Sequence, residues 1–249
     1  MKIRQVTIIG ALLCLPTPNA ALAQAHLAWD ACGAAGHVDR SFACDVNTTL
    51  HQMVSSFIAP PGITNFVGAT TEVIVAGNLG PWWGLMAGGC RSGALSAEDP
   101  YAVGLPGCDV PYEGSTCLAL ANYEPNYGGD PRRGRITAAS CPRSDEGIAL
   151  TPGTEYQATI IQLRSSRTVG ASACSGCAEP VCFVTSRVQV AEVWRPCSVC
   201  APRFRETVIP GGDQAFVLWQ GGAITDPAGC PGATANRRQT WGLVKSLYR

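Results

Sequence analysis

Apolar positions along the chain fall in short runs that alternate with polar ones, and each run ends at glycine, proline, asparagine or aspartate. Residues 66–76, FVGATTEVIVA, are the clearest case. Thr71, Val73 and Val75 share one face, and Gly77-Asn78 stops the run. Residues 52–58 stop at Pro60-Pro61-Gly62, and residues 155–163 follow the turn Thr151-Pro152-Gly153-Thr154. Residues 183–194 form the longest β-like stretch, and residues 117–121 and 214–219 are shorter ones. Short strands with this spacing predict an all-β protein, an antiparallel β-sandwich of jelly-roll type with long loops.

Helical periodicity is scarce. The ending TWGLVKSLYR (240–249) places Trp241, Val244 and Leu247 at helical spacing but alternates as a strand as well, and both readings stay open. Residues 88–147 are rich in glycine and proline and read as a loop-rich insertion over one end of the sandwich. No 20–50-residue repeat and no linker divides the chain, so residues 24–249 are expected to form one domain.

The first 23 residues stand apart. Lys2 and Arg4 precede an apolar run of about ten residues, and Ala21-Leu22-Ala23 supplies small residues for cleavage after Ala23, with Ala25 as the alternative. Residues 1–23 read as a secretory signal peptide, so the mature chain is expected to be secreted or periplasmic. No later stretch is long and apolar enough for a transmembrane helix.

Export changes how the composition is read. Loss of Lys2 and Arg4 leaves 16 basic side chains against 18 acidic, a net charge of −2. That balance argues against nucleic acid or an anionic membrane as a partner. With 28 glycines and 18 prolines the chain is turn-rich. Twelve cysteines remain once Cys14 is lost: Cys32, Cys44, Cys90, Cys108, Cys117, Cys141, Cys174, Cys177, Cys182, Cys197, Cys200 and Cys230. An even number in an exported chain predicts a disulfide framework whose connectivity the sequence does not state.

Four of these make two Cys-x-x-Cys pairs, Cys174/Cys177 and Cys197/Cys200, at a spacing near that of a zinc ribbon. A ribbon needs the intervening chain to fold back. FVTSRVQVAEVWR contains no glycine, proline, asparagine or aspartate, and it predicts one uninterrupted strand. Twelve extended residues span roughly 40 Å, so the two pairs belong to opposite ends of a sheet. No metal site and no cofactor is therefore expected. Residues 155–163 and 183–194 are expected to pair as a hairpin, its tip closed by bonds among Cys174, Cys177 and Cys182. Cys32 with Cys44 is a second expected local pair, and Cys90, Cys108, Cys117 and Cys141 are expected to staple the 88–147 region.

Catalytic signals are thin. The mature chain has only His26, His37 and His51, none in a nucleophile or metal motif. Glu98/Asp99 and Asp145/Glu146 are adjacent carboxylates in loops, and a secreted hydrolase would have to use these. The binding candidates are Trp82 and Trp83, between glycines in GNLGPWWGLMAGG, and Arg132, Arg133 and Arg135 in GGDPRRGR. If the tryptophans are extended, one faces the core and the other is left as a platform for a sugar or a protein. The arginines suit an anion such as a sulfated sugar. Trp219 and Trp241 are expected to fill the core.

LAWDACG (27–33), DRSFACD (39–45), ACSGCAEPVC (173–182), VLWQGG (217–222) and the ending TWGLVKSLYR together resemble a family of uncharacterised exported, cysteine-rich bacterial proteins. The resemblance covers nearly all of the mature chain. It implies export and a common fold, and it implies no catalytic residues. RPCSVCAPR (195–203) departs from the pattern, which leaves the pairing of Cys197 and Cys200 open. The leading expectation is an exported, non-enzymatic binding or structural module whose partner is a glycan or another exported protein. A carbohydrate-binding module using exposed tryptophan and a secreted hydrolase are the alternatives.

Overall fold

A computed structural model describes residues 23–101, 104–112, 117–142, 147–194 and 203–221. Residues 1–22 of the leader, Asp145, Glu146, Cys197, Cys200, Cys230, Trp241 and the 240–249 segment lie outside the described residues. The strands are β1 (Ala25–Trp29), β2 (Asp39–Arg40), β3 (Leu50–Ile58), β4 (Phe66–Gly77), β5 (Leu95–Glu98), β6 (Cys117–Pro125), β7 (Arg133–Pro142), β8 (Glu155–Arg164), β9 (Val181–Trp194), β10 (Arg203–Pro210) and β11 (Phe216–Trp219). Among the described residues the only helical pieces are three-residue 3-10 turns, and no helix is long and apolar enough to cross a membrane.

The strands make two sheets packed as a β-sandwich. One has the order β1-β3-β8-β5. The other runs β2-β11-β9-β4-β7-β6, with β10 also on β9. Pairing is antiparallel except for the short β11–β2 ladder. The expected fold class is the one observed. The 88–147 region is not an insertion, because β5 completes the smaller sheet and β6 and β7 complete the larger.

Between the sheets lie two apolar clusters. One holds Leu27, Trp29, Met53, Val73, Val75, Ile161 and Phe183. The other holds Phe57, Phe66, Ala69, Tyr156, Val188 and Ile209. A hydroxyl belt separates them. Along β3, Ser55 lies between Met53 and Phe57; along β4, Thr71 lies between Ala69 and Val73. Thr71 Oγ1 donates to Ser55 Oγ at 3.0 Å, and Thr159 Oγ1 of β8 donates to Thr71 Oγ1 at 3.0 Å. Ser140 Oγ of β7 donates to the Ala158 carbonyl of β8 at 2.5 Å. These bonds cross from sheet to sheet, which is how buried hydroxyls avoid the cost of lost hydration. The ladders shift register at the same level, at Ser55/Ser56 in β3 and at Glu72/Val73 in β4.

The connection from β8 to β9 corrects a sequence expectation. The two strands do not pair as a hairpin: β8 lies between β3 and β5, and β9 lies beside β4, β10 and β11. Residues 165–180 instead arch from one sheet to the other. Their cysteines find partners far away in the chain. Cys44 bonds Cys177, and Cys90 bonds Cys174.

The expected local pairs are therefore corrected. Cys174, Cys177 and Cys182 do not close the tip among themselves, and Cys32 bonds Cys108 rather than Cys44. The sandwich brings strand ends together that are 76, 133 and 84 residues apart. Loops of that length stabilise by about 4–5 kcal/mol each in the chain-entropy model. Cys182 is also disulfide-bonded. Cys141, expected as a staple, is a free and exposed thiol. Cys174 and Cys177 are thus committed to disulfides and not to a metal, and β9 runs uninterrupted for 14 residues as its composition predicts.

Candidate functional site

Trp82 and Trp83 occupy a 3-10 turn, Pro81–Trp83, started by a proline at a position where its missing N–H costs nothing. Successive side chains in such a turn diverge by about 120°, not by the 180° of a strand, so both rings turn inward. Trp82 is 0% exposed and Trp83 1%. The expected platform does not exist. Both rings join an aromatic core with Trp29, Phe183 and Trp219, with centroid distances of 4.8 Å between Trp82 and Trp83 and 5.0 Å between Trp82 and Trp219. Trp219 fills the core as expected.

Arg91 locks the turn. Its guanidinium lies 3.3 Å from the Trp82 ring centroid. It donates to the carbonyls of Ser166 (2.9 Å), Trp82 (3.0 Å) and Arg164. Trp82 Nε1 donates to Thr168 Oγ1 at 3.1 Å. Burial lowers the Arg91 pKa to about 9.

The arginines of GGDPRRGR are engaged with acids of the same surface. Arg132 holds Asp130 at 3.0 and 3.2 Å, and Arg133 lies 3.8 Å from the same carboxylate. Arg135 bridges Glu72 (3.3 Å) and Glu124 (2.5 Å) and stacks on Tyr127 at 4.7 Å. Asp130 sits below its ordinary pKa because Arg132 donates to it, and Arg135 sits above its own because of Glu124. The three arginines therefore do not converge as an anion clamp. The structure does bring the two sequence candidates to one end of the sandwich. A shallow cleft of about 280 Å³ there is lined by Pro81, Trp83 and Met86 on one side and by Tyr123, Pro125 and Pro131 on the other.

The histidines and carboxylates serve the fold. His51 Nε2 lies 2.9 Å from Ser165 Oγ, but Ser165 is buried and His51 is wedged between Phe42 and Trp219. Burial, and then the charges of Arg91 and Arg40, push the His51 pKa down to about 4. A histidine that resists protonation is a poor general base at neutral pH, and its serine has no access to substrate. His26 Nδ1 lies 2.9 Å from Glu155, which also accepts from Ser56 Oγ at 2.5 Å. The carboxylate is the middle member there, whereas a nucleophile needs the imidazole in the middle. Burial opposes ionisation of Glu155, yet the bonds from His26 and Ser56 leave its pKa lowered. Glu98 accepts from Gln52 and Gln162, and Asp99 accepts from the Tyr101 N–H.

Among the described residues, the exposed aromatic side chains lie elsewhere, at the Trp194–Arg203 end of the β9–β10 ladder. Trp194 is 52% exposed and Phe204 67%. Trp194 pairs with Arg203, and Val193 pairs with Phe204, beyond the point where β4 stops at Phe66 opposite Glu192. Trp194 and Phe204 border a cleft of about 290 Å³ with Thr64, Asn65, Glu192 and Arg205. Its base is rigid. Glu192, 2% exposed, accepts from the Thr64 N–H at 2.9 Å and from Arg205 Nε and Nη2 at 2.9 and 2.5 Å. The sequence reading missed this site. Its signal was an aromatic flanked by arginine on each side of residues 195–202, in EVWRP and PRFRE.

No protein-family model matches the chain, and no curated protein matches it. Among solved structures, a cohesin module from a Clostridium perfringens ATCC13124 family 33 glycoside hydrolase is similar at 5% identity. The match covers 76% of this chain and 96% of that one, at a TM-score of 0.30. A likeness at that score carries no information about ligand or partner.

Proposed function

We propose that the protein is an exported, non-enzymatic binding module that engages another exported protein through the tip of the β9–β10 ladder. The observation that carries this reading is the exposure of Trp194 and Phe204 around a cleft whose floor, the Glu192–Arg205 pair, is already fixed. Large exposed aromatics beside arginine are the residue types that dominate protein–protein binding energy. A floor held by saturated hydrogen bonds loses little entropy on docking.

Export rests on the reading of residues 1–23 as a signal peptide, and three disulfides suit an oxidising compartment. Kinship with the exported cysteine-rich bacterial family is part of the same proposal. A glycan reading through Trp82 or Trp83 has no exposed ring to work with. A hydrolase reading through Glu98 and Asp99 has carboxylates already tied to neighbouring amides.

The test places a photo-crosslinking phenylalanine analogue at position 204 in the producing cell, with position 120 on β6 as control. The reading expects a defined protein adduct from 204 that is absent from 120 and lost on Trp194→Ala. Equal adducts from both positions, or none, would overturn it. Retention of the purified chain on a glycan array, lost on Trp194→Ala, would replace the protein partner with a sugar.

A further inference from the structure

Four of the described tryptophans are buried, and three of them have their indole N–H satisfied. Trp29 Nε1 donates to the Leu218 carbonyl at 2.9 Å, Trp82 Nε1 to Thr168 Oγ1 at 3.1 Å and Trp219 Nε1 to the Cys177 carbonyl at 2.7 Å. Trp83 is the exception. It is 1% exposed, and among the described residues its Nε1 has no hydrogen-bond partner. A buried N–H is rarely left so. Trp83 is also the member of the four that lines the cleft between the Pro81–Trp83 turn and the β6–β7 hairpin. The unpaired donor and the cleft coincide.

The backbone acceptors around this cleft are largely engaged. The Gly80 carbonyl accepts from the Trp83 N–H at 2.9 Å, Pro81 from Gly84 at 3.0 Å, Gly84 from Arg91 at 2.9 Å, Met86 from Gly89 at 2.9 Å and Asn126 from Gly129 at 2.8 Å. Its apolar lining includes Pro81, Pro125 and Pro131 with Met86 and the Tyr123 ring. The charges beside it are paired with one another, Arg132 with Asp130 and Arg135 with Glu72 and Glu124. Both walls are fixed in advance. Arg91 holds the Trp82 carbonyl of the turn at 3.0 Å. Tyr123 lies over Gly134, where an added Cβ would collide with its ring and hydroxyl.

A cleft that offers a donor and few free acceptors suits a ligand of the opposite kind. A sugar or an ordinary peptide would bring O–H or N–H groups that lose water there and gain few partners. A run of prolines brings carbonyl acceptors and no N–H. Its polyproline II conformation is set before binding, so little entropy is lost on docking. We infer that this cleft binds a proline-rich segment of a partner protein, with Trp83 Nε1 donating to one of its carbonyls. The site is separate from Trp194 and Phe204. Trp83 packs on Phe183 with ring centroids 5.5 Å apart, and Trp194 is eleven residues further along β9, roughly 36 Å away at ~3.3 Å per residue.

Titrating a decaproline peptide into the full chain, with the tryptophan indoles labelled with heavy nitrogen for NMR, tests this. The Trp83 resonance is assigned by its loss in Trp83→Phe, which removes the N–H and keeps an aromatic ring in the core. The indole proton of Trp83 is expected to move downfield as peptide is added, while those of Trp29, Trp82 and Trp219 stay in place. Trp83→Phe is expected to weaken peptide binding roughly tenfold, the loss of one hydrogen bond. Should Trp83→Phe not fold, Met86→Asp, at a wall position 36% exposed, is expected to weaken it at least as much. Trp194→Ala is expected to leave it unchanged, and loss of binding there would assign the peptide to the other site and overturn the inference. No movement of the Trp83 resonance at millimolar peptide would also overturn it. So would an equal shift with a glycine–serine peptide of the same length, which carries N–H donors and is not preformed. A neutral oligosaccharide that moves the Trp83 resonance where decaproline does not would make the cleft a sugar site instead.

Discussion

Thr71 on the larger sheet and Ser55 on the smaller are joined by a 3.0 Å hydrogen bond through the middle of the core. Thr159 donates in turn to Thr71, so Thr71 is both donor and acceptor, and deleting its hydroxyl strands two groups. Thr71→Val should cost about 2 kcal/mol, the penalty of leaving buried polar atoms unpaired. Removing all three hydroxyls together, with Ser55→Ala, Thr71→Val and Thr159→Val, should recover most of that loss, because no unpaired group then remains. Urea unfolding of the single and triple variants checks both. A triple variant less stable by the full sum of the single losses would show that the belt stabilises by more than mutual satisfaction.

Arg91 is 1% exposed, and its hydrogen bonds run to the carbonyls of Ser166, Trp82 and Arg164 rather than to an acid. Its planar fork reaches three carbonyls and stacks on Trp82 at once, which an ammonium does not. Arg91→Lys should therefore destabilise by about 2 kcal/mol or more although the charge is kept. Thermal melts of Arg91→Lys against wild type check this. A shift within error would mean that charge, not geometry, is what the site requires.

Acid should weaken the fold through His51. Its pKa falls from 6.5 to about 4 on folding, so the unfolded chain binds the proton first. Stability is complete above about pH 6.5 and drains away as pH falls towards 4, by about 3 kcal/mol at most. Glu155, whose folded pKa is lowered, loses its contribution in the same direction as it protonates. Chemical unfolding from pH 7 to pH 4 should show the decline, and His51→Gln should flatten it. The same slope in His51→Gln would assign the acid sensitivity to other groups.

The alternation of β4 and β9 is legible because their core positions are valine and threonine and their ends are punctuated by Gly77, Pro180 and a turn. β7 hides because its inward side chains include Ala138 and Ser140, too small to register as an apolar face. β10 hides for the opposite reason: Phe204 and Val208 are exposed, and Arg205, exposed as well, bonds the buried Glu192. Which sheet a strand joins is not written in its own pattern, so β8 and β9 read as a hairpin. Cysteine pairing fails likewise, since Cys44 and Cys177 meet only through the packing of elements 133 residues apart. The tryptophans were misplaced by assuming extended backbone where Pro81 starts a 3-10 turn.

The exchange of roles between the two tryptophan sites gives opposite stability outcomes. Trp82 and Trp83 are enclosed by the aromatic core, and truncation of either to alanine should cost about 3–5 kcal/mol through the cavity left behind. Trp194 and Phe204 are more than half exposed, so Trp194→Ala and Phe204→Ala should change stability by less than about 1 kcal/mol. Both should still abolish capture of the partner. Melting curves of the four variants separate the roles before any partner is known. A loss of several kcal/mol in Trp194→Ala would mean that its ring is packed in solution, and the binding surface would then have to be sought elsewhere on the sandwich.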